Sequence, residues 1–277
     1  MRIDAHQHFW NYSPQEYGWI DESMSAIRRD FLPKDLVPEL DRANFDGSVA
    51  VQTRQTLEET RWLLDLAERS ERILGVVGWA DLRSPGIRSQ LATLATNPKL
   101  VGIRHIVQSE PDDRFLLRPE FMAGIAALEE FDLPYDILIY TKHLSVAAEF
   151  VERFPRQRFV LDHMAKPPIK AGEIESWADG IRRIASFPNV YCKLSGLVTE
   201  ADWNAWTPGQ IRPYIEVAFA AFGSERLMIG SDWPVCLVAG SYSHVTSLIF
   251  DFLDSRSEGE RDAVLGGNAQ RFWGIRP

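Results

Sequence analysis

The sequence has only two cysteines, Cys192 and Cys236, in 277 residues. They form no disulfide framework and match no zinc-finger spacing, so two free thiols in a reducing compartment are expected. Long apolar runs are also missing. Nothing approaches the ~18 consecutive apolar residues that a membrane-spanning helix needs. The N-terminus passes straight into Met1-Arg2-Ile3-Asp4-Ala5-His6 without the apolar stretch of a secretory signal, and a cytoplasmic protein is expected. Positive charge is in short supply, with 30 Lys and Arg against 39 Asp and Glu, a net charge of −9. That balance lacks the basic footprint used to bind nucleic acid or anionic membrane, which leaves a small molecule as the expected partner. The oligomeric state is not legible. A Gly-x-Ser-x-Gly elbow is absent, which argues against a serine-hydrolase route. So is the Gly-rich loop that usually follows the first strand of a doubly wound nucleotide-binding sheet.

What the chain does contain is a regular alternation. Eight short apolar runs fall at 2–5, 47–52, 73–80, 100–107, 135–140, 158–161, 190–194 and 226–230. They are rich in Val, Ile and Leu with little polar alternation, as strands buried on both faces of a parallel sheet are. Helical signals lie between them. Thr56-Leu57-Glu58-Glu59 and Ser257-Glu258-Gly259-Glu260 read as capping boxes. Ser84-Pro85 and Thr207-Pro208 each place a cap residue before a proline at the first helical position, and Gly223 is placed to stop the second of these helices. Residues 142–154 carry apolar side chains at helical spacing. No linker or low-complexity stretch interrupts the pattern, so residues 1–277 are expected to form one α/β domain, a (β/α)8 TIM-type barrel with room for distortion.

In such a barrel the working groups sit at the C-terminal ends of the strands. The first run ends in His6-Gln7-His8, and alternation along a strand points both imidazoles the same way, about 7 Å apart. The fourth ends in Arg104-His105, of which only one can face the lumen. The fifth ends at Tyr140. The sixth ends in Asp162-His163, ahead of Met164-Ala165-Lys166-Pro167-Pro168. His163 is the candidate there, and Asp162 is expected to point away toward the helices or to orient a neighbour. The eighth leads into Gly230-Ser231-Asp232-Trp233-Pro234, where a carboxylate at the end of an apolar run is poorly explained as a surface charge.

His-x-His on the first strand, a histidine after the sixth and an aspartate after the eighth resemble the amidohydrolase superfamily. Asp4-Ala5-His6-Gln7-His8-Phe9-Trp10, Leu161-Asp162-His163 and Gly230-Ser231-Asp232-Trp233-Pro234 are similar to its sugar-lactonase branch. That branch includes hydrolases of L-fuconolactone, L-rhamnonolactone and 2-pyrone-4,6-dicarboxylate, the first being nearest. The resemblance implies hydrolysis of an L-fucono- or L-galactono-type lactone. Asp232 would take the proton of the attacking water, and His6, His8 and His163 would polarise the carbonyl. A flat, hydroxyl-rich lactone suits aromatic faces, and the strand-end loops offer Trp10, Trp19, Trp79, Trp203, Trp206 and Trp233; Arg104, Tyr140, Trp79, Lys166 and Trp233 are the expected substrate-binding residues. The chain departs from the two-metal members, which take a Lys or Glu from the fourth strand and a His from the fifth. Arg104 and Tyr140 stand there instead. No cofactor is expected to be required, and a single zinc ion on His6, His8 and Asp232 is expected at most as an optional occupant. A metal-dependent decarboxylase or amide hydrolase of the same superfamily is the alternative. A TatD-like nuclease and a non-catalytic sugar-acid binder are weaker ones.

Overall fold

The apolar runs do become strands, and each pairs in parallel with the next. In the computed structural model, which describes residues 1–276, the strands are β1 (Ile3–Gln7), β2 (Gly47–Val51), β3 (Ile73–Gly78), β4 (Leu100–His105), β5 (Tyr135–Ile137), β6 (Phe159–Leu161), β7 (Val190–Leu194) and β8 (Leu227–Ile229). Their spatial order is their chain order. The first and last meet where the His8 amide donates to Trp233 O at 2.7 Å and the Asp232 amide to His6 O at 2.8 Å. The fold is a (β/α)8 barrel, as expected. Several strands stop short of the apolar run that contains them. Leu138 and Ile139 are buried like strand residues, but β6 turns away after Leu161 and leaves them no partner.

Helices follow the strands: α1 (Pro33–Arg42), α2 (Leu57–Arg69), α3 (Ile87–Leu94), α4 (Pro119–Glu130), α5 (Leu144–Glu152), α6 (Glu175–Ala185), α7 (Pro208–Phe222) and α8 (Tyr242–Leu253), then α9 (Glu258–Asp262) and α10 (Asn268–Trp273). α7 starts on Thr207-Pro208 with a reciprocal box to Gln210 and stops at Gly223, whose φ of +67° suits glycine. The Ser257–Glu260 box opens α9. Two expectations need correction. Thr56 caps the Glu59 amide, but the Glu59 carboxylate turns instead to the Thr53 and Arg54 amides at 3.0 and 2.7 Å, so the box is half formed. Ser84 accepts from the Gly86 amide at 3.1 Å, and α3 begins only at Ile87.

The interior is built in two parts. Ile3, Ala5, Val49, Val51, Val77, Val101, Val160 and Met228 fill the lumen, and Phe272 and Trp273 of α10 pack against them. A larger cluster lies between the strands and the surrounding helices. The lumen plug matters for function because it is apolar and buried. Polar side chains set directly above it act at low effective dielectric. Among the described residues no helix is long and apolar enough to cross a membrane.

Candidate active site

On β1, Asp4 pairs with Ser48 and Gln7 with Ala50, so three steps along β1 meet two along β2. The extra residue is a bulge. Ile3 and Ala5 belong to the lumen plug, and strict alternation would send His6 outward. The bulge resets the phase. His6 and His8 both enter the lumen with their Nε2 atoms 3.2 Å apart, while Gln7 turns out to Ser48. Asp4, outside, accepts from the Ser231 amide and hydroxyl, the Tyr242 hydroxyl and the His6 amide, and so ties β8 to β1. Burial nevertheless pushes its carboxyl up to about 6.

On β6 the structure overturns the expected orientation of Asp162. Alternation carries Val160 into the plug and Asp162 in above it, where Oδ2 accepts from Arg104 Nη1 at 2.9 Å. His163 enters as well, because the chain turns left-handed there, with φ between +51° and +56° at all four residues 163–166. Each such residue costs about 1–2 kcal/mol, so the turn must be held from outside. The Trp177 indole donates to Met164 O at 2.8 Å, and the Thr141 hydroxyl lies at 3.2 and 3.1 Å from Ala165 O and Lys166 O. The His163 ring lies against Gly196, where an added Cβ would stand 2.6 Å from Nδ1. Nδ1 itself is 2.9 Å from the Ser195 hydroxyl.

Of the β4 pair, Arg104 faces inward and His105 outward. His105 contacts Glu110 at 2.6 Å and stacks on Phe115. Arg104 binds Gln52 O and Asp162, and its Nη1 lies 3.3 Å from His6 Nε2. Two further lumen residues were missed by sequence reasoning, Asp136 on β5 and Lys193 on β7. The Lys193 ammonium is 2.5 Å from Asp136, 3.0 Å from Asp162 and 3.2 Å from His6 Nδ1. A signal for them existed. Each is a lone charge inside an apolar strand, in Tyr135-Asp136-Ile137 and Cys192-Lys193-Leu194, where both neighbours are buried.

Asp232, at φ +57°, closes the group. Its Oδ1 is 3.3 Å from His8 Nε2, 3.8 Å from His6 Nε2 and 3.9 Å from His163 Nε2. Above it opens a pocket of about 500 Å³, lined among others by His8, Arg104, Tyr140, His163, Lys166 and Asp232. His6 lies just beneath, fully buried. Two expected substrate contacts do not reach this pocket. Trp79 lies behind β4 and donates its indole N–H to His105 at 3.3 Å. Trp233 is buried against Phe9 and Phe31. The aromatic walls are Tyr140, Trp19 and Trp203. Lys166 pairs with Glu200 at 2.8 Å, which leaves two of its N–H bonds free.

Burial pushes the His163 imidazole down to about 4 and holds His6 well below its ordinary value, with Lys193 adding to the effect on His6. Burial would raise Asp232. The neighbouring imidazoles of His163, His8 and His6 outweigh that, however, and together hold its carboxyl well below the usual carboxylate range. At neutral pH the floor of the pocket is therefore an ionised carboxylate beside the neutral imidazoles of His6 and His163. Burial would raise Asp162 too, but Lys193, His6 and Arg104 hold it well below. Asp136 goes the other way, up to about 7, because burial outweighs its pairing with Lys193 and Asp162 adds repulsion.

His6, His8 and Asp232 place one ligand atom each within 4.8 Å of one another, a donor set that could hold one zinc ion with a position left open. His8 is oriented as metal-binding histidines are. Its Nδ1–H donates to Val51 O at 2.7 Å and Nε2 faces the site. A second group, His6, Asp162 and His163, shares His6 with the first, and its carboxylate already binds Arg104 and Lys193.

The sequence model of an amidohydrolase family matches residues 3–275. Two proteins named L-fucono-1,5-lactonase, from Burkholderia multivorans and Burkholderia ambifaria, are each 41% identical to this chain over 286 residues, covering 99% of it and 96% of their own length. A crystal structure of an amidohydrolase from Burkholderia multivorans with bound zinc superposes with a TM-score of 0.96 at 41% identity over 100% of both chains.

Proposed function

The chain belongs to the amidohydrolase family, and from that premise we propose that its pocket hydrolyses a sugar-acid lactone of the L-fucono or L-galacto type to the aldonic acid. The observation that carries the reading is the ionised Asp232 set among three imidazoles at the floor of an aromatic-walled pocket. It is supported by full-length similarity to L-fucono-1,5-lactonases.

Asp232 accepts a proton from water, whose oxygen attacks the lactone carbonyl carbon. His163, neutral near pH 7, offers Nε2–H to the carbonyl oxygen as it gains charge, with Ser195 on its other nitrogen. The Arg104 guanidinium adds fixed positive charge nearby. When the ring C–O bond breaks, the departing oxygen takes the proton from Asp232 and becomes a hydroxyl group. The new carboxylic acid ionises and releases one proton per turnover. Lys166 donates its two free N–H bonds to substrate hydroxyls, and Tyr140, Trp19 and Trp203 give the sugar ring apolar faces. His6 and His8 hold the carboxylate's surroundings fixed. A zinc ion on His6, His8 and Asp232 would supply a Lewis acid to the carbonyl, but the reaction as derived does not require it. The two buried free thiols, Cys192 and Cys236, fit a cytoplasmic setting.

The test is a panel of aldonolactones read by proton release, run beside aryl phosphodiesters, N-acyl amides and hydroxybenzoates. L-fucono- and L-galactonolactones should be hydrolysed far faster than any of these. Faster phosphodiester or amide cleavage, or decarboxylation, would replace the lactonase reading.

A further inference from the structure

Lys193 is buried, touches no part of the pocket lining, and has no step in the reaction above. Its geometry still bears on the site. His6 Nδ1 lies between two opposed partners. Lys193 Nζ, at 3.2 Å, can only donate. Asp162 Oδ1, at 3.4 Å, can only accept, and it also lies 3.0 Å from the Lys193 ammonium. A neutral imidazole carries its proton on one nitrogen, so the two partners select different tautomers.

With Lys193 donating to Nδ1, the proton is on Nε2 and can be given to His8 Nε2 at 3.2 Å. His8 in turn gives its Nδ1–H to Val51 O at 2.7 Å. Lys193, His6, His8 and Val51 then form one chain in which both nitrogens of each ring have a partner, with Arg104 Nη1 left 3.3 Å from the protonated His6 Nε2. With Asp162 accepting from Nδ1, the bare Nε2 of His6 faces the bare Nε2 of His8 at 3.2 Å, and both face Asp232. Arg104 Nη1, which has a second N–H beside the one given to Asp162, can donate to His6 Nε2 at 3.3 Å but offers nothing to His8. His8 Nε2 and Asp232 Oδ1, 3.3 Å apart, are then left converging without a donor between them, a setting that a metal cation fills. Asp162 in that state would be the carboxylate that typically backs a metal-bound histidine.

We propose that Lys193 is a positioning residue that locks His6 in its Nε2–H tautomer and so biases the site against metal, with Asp162 the waiting partner of the metal-loaded form. Zinc on His6 must displace the Nε2 proton, move it to Nδ1 against Lys193, and accept a second cation close by.

The experiment uses the full chain and needs no turnover, so it stands or falls apart from the lactonase reading. ¹⁵N NMR of the histidine-labelled, metal-free wild type should show His6 protonated on Nε2 and bare on Nδ1. Zinc affinity is then measured by competition with a chelating indicator. Lys193→Met strips two buried carboxylates of their cation and can fail to fold, so Lys193→Met with Asp136→Asn is the working variant and Asp136→Asn alone is its control. The double variant should bind zinc about 10–100-fold more tightly than the control, the range outer partners of metal ligands typically command. The control should match the wild type. His6 protonated on Nδ1 in the wild type, or a double variant binding zinc no more tightly than the control, would overturn the proposal.

Discussion

Asp232 Oδ1 lies 3.3 Å from His8 Nε2, but the hydrogen bond that fixes the His8 ring is its Nδ1–H to Val51 O at 2.7 Å. A carboxylate held this close to an imidazole is usually its hydrogen-bond acceptor. Here its lone pairs stay free for water, and the burial of His6 and His163 keeps those rings uncharged at neutral pH.

Asp232→Asn should therefore remove the base while keeping the shape of the site. The expected loss in kcat is about 10²–10⁴-fold, the usual worth of a general base, with an unchanged circular dichroism spectrum. A folded Asn variant turning over at near the wild-type rate would assign the base elsewhere.

Gly196 is where the fold yields space to His163. An alanine there places Cβ 2.6 Å from Nδ1 and 2.8 Å from Cγ, at φ +62°. The ring must move, and a displacement of about 1 Å can cost up to about 10²-fold in rate. Gly196→Ala should lower kcat well beyond its effect on Tm, whereas Ser195→Ala, which frees one nitrogen without pushing the ring, should cost less. Equal rates for Gly196→Ala and wild type would remove His163 from the reaction.

Asp136 gives a prediction in pH. Its carboxyl goes from an ordinary 3.8 to about 7 in the folded chain. Between those values the folded protein holds a proton that the unfolded chain has released, so this residue's contribution to stability falls as pH rises through the window. Asp136→Asn cannot titrate. The stability of the wild type relative to the Asn variant should therefore decline from pH 5 to pH 8 in urea melts. A relative stability that rises with pH would mean that the Lys193 pairing dominates and the carboxyl is ionised throughout.

The barrel was legible because buried parallel strands announce themselves as Val, Ile and Leu runs at regular intervals. His6, His8, His163 and Asp232 were legible because they end such runs. Asp162 was misjudged for a local reason. Alternation was counted back from His163, but a left-handed turn, invisible in Asp162-His163-Met164-Ala165, brings both side chains inward. The β1 bulge is equally silent in sequence, and here it favoured the correct answer for His6. Trp79 and Trp233 were chosen by nearness to strand ends, yet a strand-end residue faces either pocket or helix, and both went to packing. Lys193 and Asp136 lie below the strand ends, paired in register with the plug residues Met228 and Val160, and only their isolation within apolar strands marks them.

The central claim is lactone hydrolysis by Asp232 without a required metal, and one paired measurement tests it most directly. Wild-type protein is stripped exhaustively with chelator, its zinc content is determined, and turnover of L-fucono-1,5-lactone is followed on the same sample. Most of the as-purified rate should survive at far less than one zinc per chain. Loss of activity on stripping, recovered only as zinc returns to one per chain, would contradict it.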